Sequence, residues 1–178
     1  VFSAVLEGAD AAQIIETEAG HYRDRCYPPL TTLRLFIGQV LSEDGACQDV
    51  VGRHLSACVA TGRRPCGLNT GPYCQARQRL PLAMPQRLSR MVGERLESRM
   101  PKAWCWRGRH VKLFDGTTVS MPDTPENQRA FPQSSEQKPG LGFPVARIGG
   151  LISLASGAVL GHAVAACKGK GTGEQTLL

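Results

Sequence analysis

Residues 111–121, VKLFDGTTVSM, are rich in β-branched and aromatic side chains and carry one carboxylate, Asp115, near their middle. Valine, threonine and phenylalanine are typical of a pleated, half-covered surface, so the stretch predicts a strand. Because strand side chains alternate between two faces, one face carries Leu113, Asp115, Thr117 and Val119. We expect this strand to be buried, and a buried Asp115 requires a cation, N–H donors or a metal ion as partner. The alternative is that Asp115 and Gly116 form the turn of a hairpin.

Positive charge is concentrated in one part of the chain. The 178 residues are 42% hydrophobic and carry a formal net charge of +6. Over residues 63–109, eleven Lys and Arg residues outnumber two acids, Glu94 and Glu97, which gives this block a local charge of +9. Such a block indicates an anionic partner, and nucleic-acid phosphate is the usual one. The alternative is a solvated helix face that keeps the protein soluble.

The cysteine pattern predicts free thiols. Seven cysteines, at positions 26, 47, 58, 66, 74, 105 and 167, are odd in number and form no Cys-x-x-Cys pair. The spacing therefore indicates neither a disulfide framework nor a zinc site. Most of these cysteines lie among apolar positions of predicted helices, where a free thiol behaves as a small hydrophobic side chain. We expect a reducing, cytoplasmic compartment.

Helical periodicity dominates the first hundred residues. A weak helix is predicted within residues 1–25, with Asp10 as its cap, and a second follows Pro28 and Pro29, capped by Thr31 or Thr32. Two further helices are predicted over residues 70–80, with Asn69 and Thr70 as caps, and over 85–100. A clearer helix is predicted before these two, after the helix that follows Pro28 and Pro29. It ends at Gly62 and places on one face Cys47, Val50, Val51, His54, Leu55, Cys58 and Val59. We expect His54 to be a core or boundary histidine rather than a metal ligand.

Candidate DNA-contacting residues lie in and around these helices. Arginine and glutamine are side chains that hold phosphates and read base edges. The candidates are Arg63, Arg64, Gln75, Arg77, Gln78, Arg79, Arg87 and Arg90. If about four to six arginines contact phosphates, the logarithm of the binding constant should fall with the logarithm of salt concentration with a slope of roughly −4 to −5.

Residues 148–167 contain no charged side chain. Their length is compatible with a membrane span, but glycines at 149, 150, 157 and 161 favour a β-hairpin instead. We predict strands over 147–155 and 158–167 that turn at Ser156 and Gly157, giving three sequential antiparallel strands and no membrane association. Before this hairpin, Asp123 is the predicted cap of a short helix with Pro125 and Glu126 in its first turn. A loop rich in Pro, Gly and Ser follows it up to Pro144.

The glycine-rich tail, GKGTGEQTLL, suggests a phosphate-binding loop at first sight. A P-loop requires Ser or Thr after its Gly-Lys pair, whereas Gly171 follows Lys170 here. The spacing therefore argues against a nucleotide site.

Five stretches together resemble one protein family. They are YRDRCYPPLTTLRLFIGQVLS, NTGPYCQARQRLP, VKLFDGTTVSMPDTPENQ, QKPGLGFPVARI and the strand pair that ends in KGKGTGE. With them the chain resembles, almost end to end, a DDE transposase of a bacterial insertion sequence of the family-four type. The resemblance implies an α+β protein, with a helical DNA-binding domain over residues 1–105. The first antiparallel strands of a truncated ribonuclease-H-like catalytic core would occupy residues 106–178. By motif, Asp115 is the first catalytic and metal-binding aspartate.

The resemblance also implies the chemistry and the partners. In this family three carboxylates hold two Mg²⁺ or Mn²⁺ ions that support DNA strand cleavage and transfer. It places the second aspartate and the glutamate beyond Leu178, and Asp123 and Glu126 in an insertion where they do not replace them. We therefore expect residues 1–178 to be an inactive N-terminal portion with weak or no metal binding.

The expected partner is double-stranded DNA at transposon ends, with a homodimer as a further option. The expected location is the bacterial cytoplasm, in association with the nucleoid. The alternative is a stand-alone basic DNA-binding protein, or a truncated and non-catalytic competitor of the intact transposase.

Overall fold

The structure is a computed structural model that describes residues 8–22, 25–134, 136–138, 140–167 and 173. These residues form six α-helices, a short 3₁₀ helix and a three-stranded antiparallel sheet, which confirms the α+β class. The chain divides into two compact units, residues 1–88 and 89–178. The domain boundary expected between residues 105 and 106 separates a DNA-binding part from a catalytic part. It stays a prediction.

Helices make up the described part of the first unit. Helices α1 (Ala9–Ala19), α2 (Pro29–Val40), α3 (Cys47–Ala60) and α4 (Gly71–Gln78) lie in it, and α5 (Ala83–Ser98) begins there and continues into the second unit. All five helices expected from the periodicity are therefore present. Residues 1–7 and 23–24 of the first predicted helix lie outside the described residues.

The first two helices begin differently from expectation. Helix α1 starts after Gly8, and Asp10 lies in its first turn instead of capping it. Helix α2 starts after Pro28, and neither predicted threonine caps it. The buried Thr32 hydroxyl instead lies 3.0 Å from the carbonyl oxygens of both Tyr27 and Pro28. Two prolines fix the backbone at values that suit a helix start, so no side-chain cap is needed there.

The core of the first unit forms where α3 and α4 meet the segment before α2. Val50, Val51 and Tyr73 are buried there, and Tyr27, Leu35, Cys47 and Leu55 pack against them. His54 is 8% exposed, and its ring centroid lies 5.5 Å from that of Tyr27. The structure thus confirms His54 as a core or boundary histidine.

Cys26 and Cys66 form a disulfide, with their Cα atoms 5.9 Å apart. The prediction of seven free thiols is therefore wrong for this pair, while Cys47, Cys58, Cys74, Cys105 and Cys167 are free. The spacing gave no signal because 40 positions separate the partners, which only the folded helices bring together. In the chain-entropy treatment, closing a loop of this length contributes roughly 4 kcal/mol.

The second unit contains the sheet. Strands β1 (Lys112–Ser120), β2 (Val145–Ser153) and β3 (Val159–Ala166) lie in the order β1-β2-β3, and each neighbouring pair is antiparallel. Gly157, with φ of 68°, lies in the turn between β2 and β3. This arrangement confirms the three sequential strands and the hairpin. No described helix is long and apolar enough to cross a membrane.

Strand β1 is exposed, which corrects the expectation of a buried strand. Leu113 and Val119 are 50% and 42% exposed, and Asp115 between them is exposed as well. Within the described residues, β1 pairs with β2 alone and forms one edge of the sheet. Asp115 lies in mid-strand, opposite Gly150, which excludes the hairpin-turn alternative. Its carboxylate is hydrated and does not need the buried partner that the sequence suggested.

Helix α6 (Pro125–Ala130) begins one residue later than predicted. Thr124 is its cap and accepts a hydrogen bond from the Asn127 N–H at 3.2 Å. The predicted cap, Asp123, instead accepts from Gln128 Nε2 at 2.8 Å. The glycine-rich tail, residues 168–178, lies outside the described residues apart from Gly173.

Candidate nucleic-acid interface and the Asp115 strand

Helix α4 positions two of the candidate DNA-contacting residues. Asn69 Oδ1 accepts a hydrogen bond from the Gly71 N–H at 2.8 Å, and Pro72 lies in the first turn, as predicted. The other predicted cap, Thr70, precedes the helix but makes no side-chain capping hydrogen bond. Gln75 and Arg79 are four residues apart and therefore lie on the same side of this short helix. Both side chains are exposed, and both line the same cleft.

This cleft belongs to the first unit and has a volume of about 800 Å³. Four of its lining residues are His21, Arg25, Gln75 and Arg79, and we name it the basic cleft after them. Its lining also includes tyrosine and proline rings, namely Tyr22, Tyr27, Pro28, Pro29, Pro72 and Pro81. Cationic and amide groups hold phosphates in proteins, and an exposed aromatic ring such as that of Tyr22 can stack a base. The basic cleft can thus accommodate a nucleic-acid backbone.

Arg77 does not line the basic cleft. Its guanidinium carbon lies 4.6 Å from the centroid of the Phe36 ring, and its Nη1 donates to Gln39 Oε1 at 3.0 Å. The Tyr73 hydroxyl donates to the same oxygen at 2.8 Å. Burial raises the pKa of Tyr73, and the positive charge of Arg77 partly opposes that rise. Arg77 therefore has structural contacts within the first unit that the Arg/Gln pattern did not indicate.

The other candidates in the first unit occupy different places. Arg63 and Arg64 are exposed in the loop after α3, where Arg63 Nε donates to Thr61 Oγ1 at 3.1 Å. Arg87 on α5 forms an ion pair with Glu18 on α1. Gln78 is exposed at the end of α4. Of the candidate DNA-contacting residues in the first unit, Gln75 and Arg79 therefore lie together in the basic cleft. The other candidates lie at separate places outside it.

Arg90 lies in the second unit. Together with Phe114 and Leu151 it lines a cavity of about 170 Å³ on the sheet, with glycines 149 and 161 also in its wall. Glycine leaves this space open because it has no side chain. Arg90 is exposed, and its position in the cavity does not test its predicted DNA contact.

His21 and Arg25 are cleft residues that the sequence reasoning missed. They lie just before Cys26, outside the 63–109 block on which the charge argument concentrated. The disulfide from Cys26 to Cys66 ties this segment to the loop before α4. The charged stretch ahead of Cys26 could have indicated these residues as candidates. That they lie close to α4, however, depends on the pairing of Cys26 with Cys66, which the sequence does not reveal.

Asp115 lies on an open face of the sheet. Its Oδ1 accepts a hydrogen bond from the Gly116 N–H at 2.8 Å. Asp115 pairs with Gly150, and Gly150 pairs with His162, so all three residues share one face. Gly150 has no side chain, so the space between the Asp115 and His162 side chains is open. The Cα atoms of Asp115 and His162 are separated by two strand spacings, roughly 10 Å.

The residues around Asp115 do not fit a two-metal centre. Such a centre needs several fixed oxygen ligands, and one carboxylate supplies only one or two of them. Across the part of the chain that the structure describes, no three residues among His, Cys, Asp and Glu lie close enough to hold a metal ion. Asp115 therefore provides a single ligand group, and no metal-dependent step follows from this site alone.

A separate acidic residue links α5 to the sheet. Glu97 Oε1 accepts a hydrogen bond from Ser153 Oγ at 2.6 Å and lies 3.6 Å from His110 Nδ1. The Ser153 hydrogen bond, followed by the charges of His110 and Lys112, lowers the pKa of Glu97 against the opposing effect of burial. This cluster attaches the end of α5 to β2, and we assign it a structural role.

No protein-family model, curated protein or solved structure matches the chain.

Proposed function

We propose that this chain binds double-stranded DNA through the basic cleft, as the N-terminal portion of a DDE transposase that recognises transposon ends. One observation carries the DNA-binding part of the proposal. His21, Arg25, Gln75 and Arg79 line one open cleft together with tyrosine and proline rings. Guanidinium groups are suited to phosphate oxygens, and glutamine reads base edges, so the cleft offers both kinds of contact.

The transposase part of the proposal is supported by the resemblance of the quoted stretches and by the order of the strands. A ribonuclease-H-like core begins with consecutive antiparallel strands, and its first acid lies on the first of them. Asp115 near the centre of β1, in a sheet of order β1-β2-β3, is compatible with that arrangement. We assign Mg²⁺- or Mn²⁺-dependent strand cleavage to an intact parent enzyme that supplies the other two carboxylates.

A second candidate is a basic DNA-binding protein without catalytic activity. It is favoured by the exposed position of Asp115, whose carboxylate accepts a hydrogen bond from the neighbouring Gly116 N–H. Both candidates require the basic cleft to bind DNA, and they differ in the role of Asp115.

Fluorescence anisotropy with a labelled DNA duplex tests the shared claim. We expect Arg25→Ala combined with Arg79→Ala to weaken binding by about tenfold or more, because a hydrogen bond to a charged group contributes about 1.5–3 kcal/mol. The matched control is Arg53→Ala, which removes an exposed arginine of the first unit that pairs with Asp49. If the control and the double variant weaken binding equally, the basic cleft is not the DNA site.

A further inference from the structure

Cys47 and Cys74 form a pair of free thiols in the first unit, and we call them the dithiol pair. Their sulfur atoms lie 3.9 Å apart, and the Cys74 thiol is the donor toward the Cys47 sulfur. Cys47 is the first residue of α3, whereas Cys74 lies in α4. Both residues are partly exposed, so a small reagent can reach them.

Three donors converge on the Cys47 sulfur. Besides the Cys74 thiol, Gln39 Nε2 lies 3.3 Å from this sulfur and Arg77 Nη1 lies 3.7 Å from it. The orientation of Gln39 is fixed by its other contacts. Its Oε1 accepts from Tyr73 and Arg77, so its amide nitrogen must point toward Cys47 and the Gly45 carbonyl oxygen. Three side-chain donors therefore point at this one sulfur, which also lies in the first turn of α3, and this geometry singles out Cys47 as the attacking sulfur.

The two thiols are not equivalent. Burial raises the pKa of the Cys74 thiol, and its interaction with Cys47 raises it further, while Arg77 has the opposite effect. Cys74 thus retains its proton and can donate it toward Cys47. One thiol placed as nucleophile beside a protonated second thiol is the arrangement of redox-sensitive cysteine pairs.

We propose that the dithiol pair is an oxidation site for hydroperoxides, with Cys47 as the attacking sulfur and Cys74 as the resolving sulfur. The product is an intramolecular Cys47–Cys74 disulfide. This site is independent of the Cys26–Cys66 disulfide and does not require that the chain bind DNA.

The reaction balances in two steps. The Cys47 thiolate attacks one peroxide oxygen, the S–O bond forms and the O–O bond breaks, and the alcohol or water leaves after taking one proton. Cys47 is then a sulfenic acid, oxidised by two electrons, and the peroxide is reduced by the same two. In the second step the Cys74 sulfur attacks the Cys47 sulfur, the S–S bond forms, and the hydroxyl leaves as water with the Cys74 proton. The sulfurs must approach from 3.9 Å to the disulfide bond length of about 2.05 Å.

Peptide mapping of the purified chain after treatment with hydrogen peroxide tests this proposal without a variant. Tryptic peptide 35–53 contains Cys47 alone, peptide 26–34 contains Cys26, and peptide 64–77 contains both Cys66 and Cys74 because Pro65 blocks cleavage after Arg64. Before oxidation, the native disulfide joins two peptides, 26–34 and 64–77. After oxidation we expect a three-peptide species that also contains 35–53 and is lighter than the sum of its parts by two further hydrogens.

Two variants assign the roles. In Cys74→Ser the three-peptide species should disappear, and dimedone should trap a sulfenic acid on Cys47. In Cys47→Ser, Cys74 should remain unmodified under the same treatment. The partly exposed Cys105, which has a histidine but no described thiol partner, is the internal reference and should oxidise at least about tenfold more slowly than Cys47. The proposal is overturned if no three-peptide species forms in the wild-type chain, or if Cys105 reacts as fast as Cys47.

Discussion

At the scale of single residues, Asp115 is exposed in the middle of β1 and contacts the Gly116 N–H. The sequence correctly predicted its place in a strand and the face that it shares with Leu113 and Thr117. It did not predict exposure, because a β-branched run looks the same whether its strand lies at the centre or at the edge of a sheet. The exposure of Asp115 therefore depends on which strands pair with β1, and the sequence of β1 alone does not determine it.

Replacing Asp115 with Asn should leave DNA binding unchanged and should change the free energy of unfolding by no more than about 0.5 kcal/mol, because the side chain is exposed. We also expect neither the wild-type chain nor Asp115→Asn to nick plasmid DNA in Mg²⁺ or Mn²⁺, since one carboxylate does not hold a metal pair. Agarose-gel analysis of supercoiled plasmid is the measurement. Nicking that disappears in Asp115→Asn would mean that another acid of this chain, with Asp123 and Glu126 the first to examine, completes a catalytic site.

Gly93 on α5 is a packing position in the second unit. A Cβ atom added there would lie 2.6 Å from the Val159 carbonyl oxygen, which is backbone and cannot move aside alone. Gly93→Ala should therefore lower the free energy of unfolding by about 1–3 kcal/mol. Gly52→Ala on α3 is the matched control: a Cβ there meets nothing within 4 Å, and the change should stabilise the helix by about 0.5–1 kcal/mol. Urea unfolding measures the free energy of unfolding of both variants. Equal changes of this free energy in the same direction would contradict the close contact at Gly93.

At the scale of elements, α3 and α4 show what periodicity does and does not determine. The apolar face of α3 was predicted correctly at Val50, Val51 and Cys58, which are all buried. Val59 was assigned to the same face but is 65% exposed, because it lies at the edge of the stripe near the helix end. On α4 the spacing predicted a helix and its start, but it did not reveal that Arg77 packs on Phe36 while Arg79 lines the cleft.

His54 on α3 gives the first unit a pH dependence. Burial, with a smaller contribution from Arg63, lowers the pKa of His54 below its ordinary value, although a backbone hydrogen bond with Cys26 opposes this. The unfolded chain therefore binds the His54 proton more readily than the folded chain does. As the pH falls below the ordinary histidine pKa of about 6.5, the free energy of unfolding should decrease, whereas above it His54 has no effect.

Urea unfolding followed by circular dichroism at pH 7.5 and pH 5.5 checks this expectation. The decrease in the free energy of unfolding from pH 7.5 to pH 5.5 should be smaller in His54→Gln than in the wild-type chain. It should persist in His21→Gln, because His21 is exposed. An equal pH dependence in wild type and His54→Gln would show that other groups produce it.

At the scale of the whole molecule, the sequence predicted the class of the fold and the order of its elements. The helices before the sheet and the three antiparallel strands are encoded locally, in apolar periodicity and in turn residues such as Gly157. The disulfide, the exposure of β1 and the wall of the basic cleft depend on segments far apart in sequence, so no local pattern reveals them. Of the predicted DNA contacts, Gln75 and Arg79 lie in that cleft, while His21 and Arg25 emerged only from the structure.

The salt dependence of DNA binding tests the central claim, that the basic cleft holds DNA phosphates, most directly. We predict that a plot of log K against log salt concentration has a slope of roughly −4 to −5, because each phosphate contact releases about 0.9 counterion. The two arginines of the basic cleft account for about −2 of this slope, and other arginines of residues 63–109 account for the rest. Loss of Arg25 and Arg79 should make the slope shallower by about 2, and loss of Arg53 should leave it unchanged. A flat salt dependence in the wild-type chain, or an unchanged slope in the Arg25→Ala and Arg79→Ala double variant, would contradict the account.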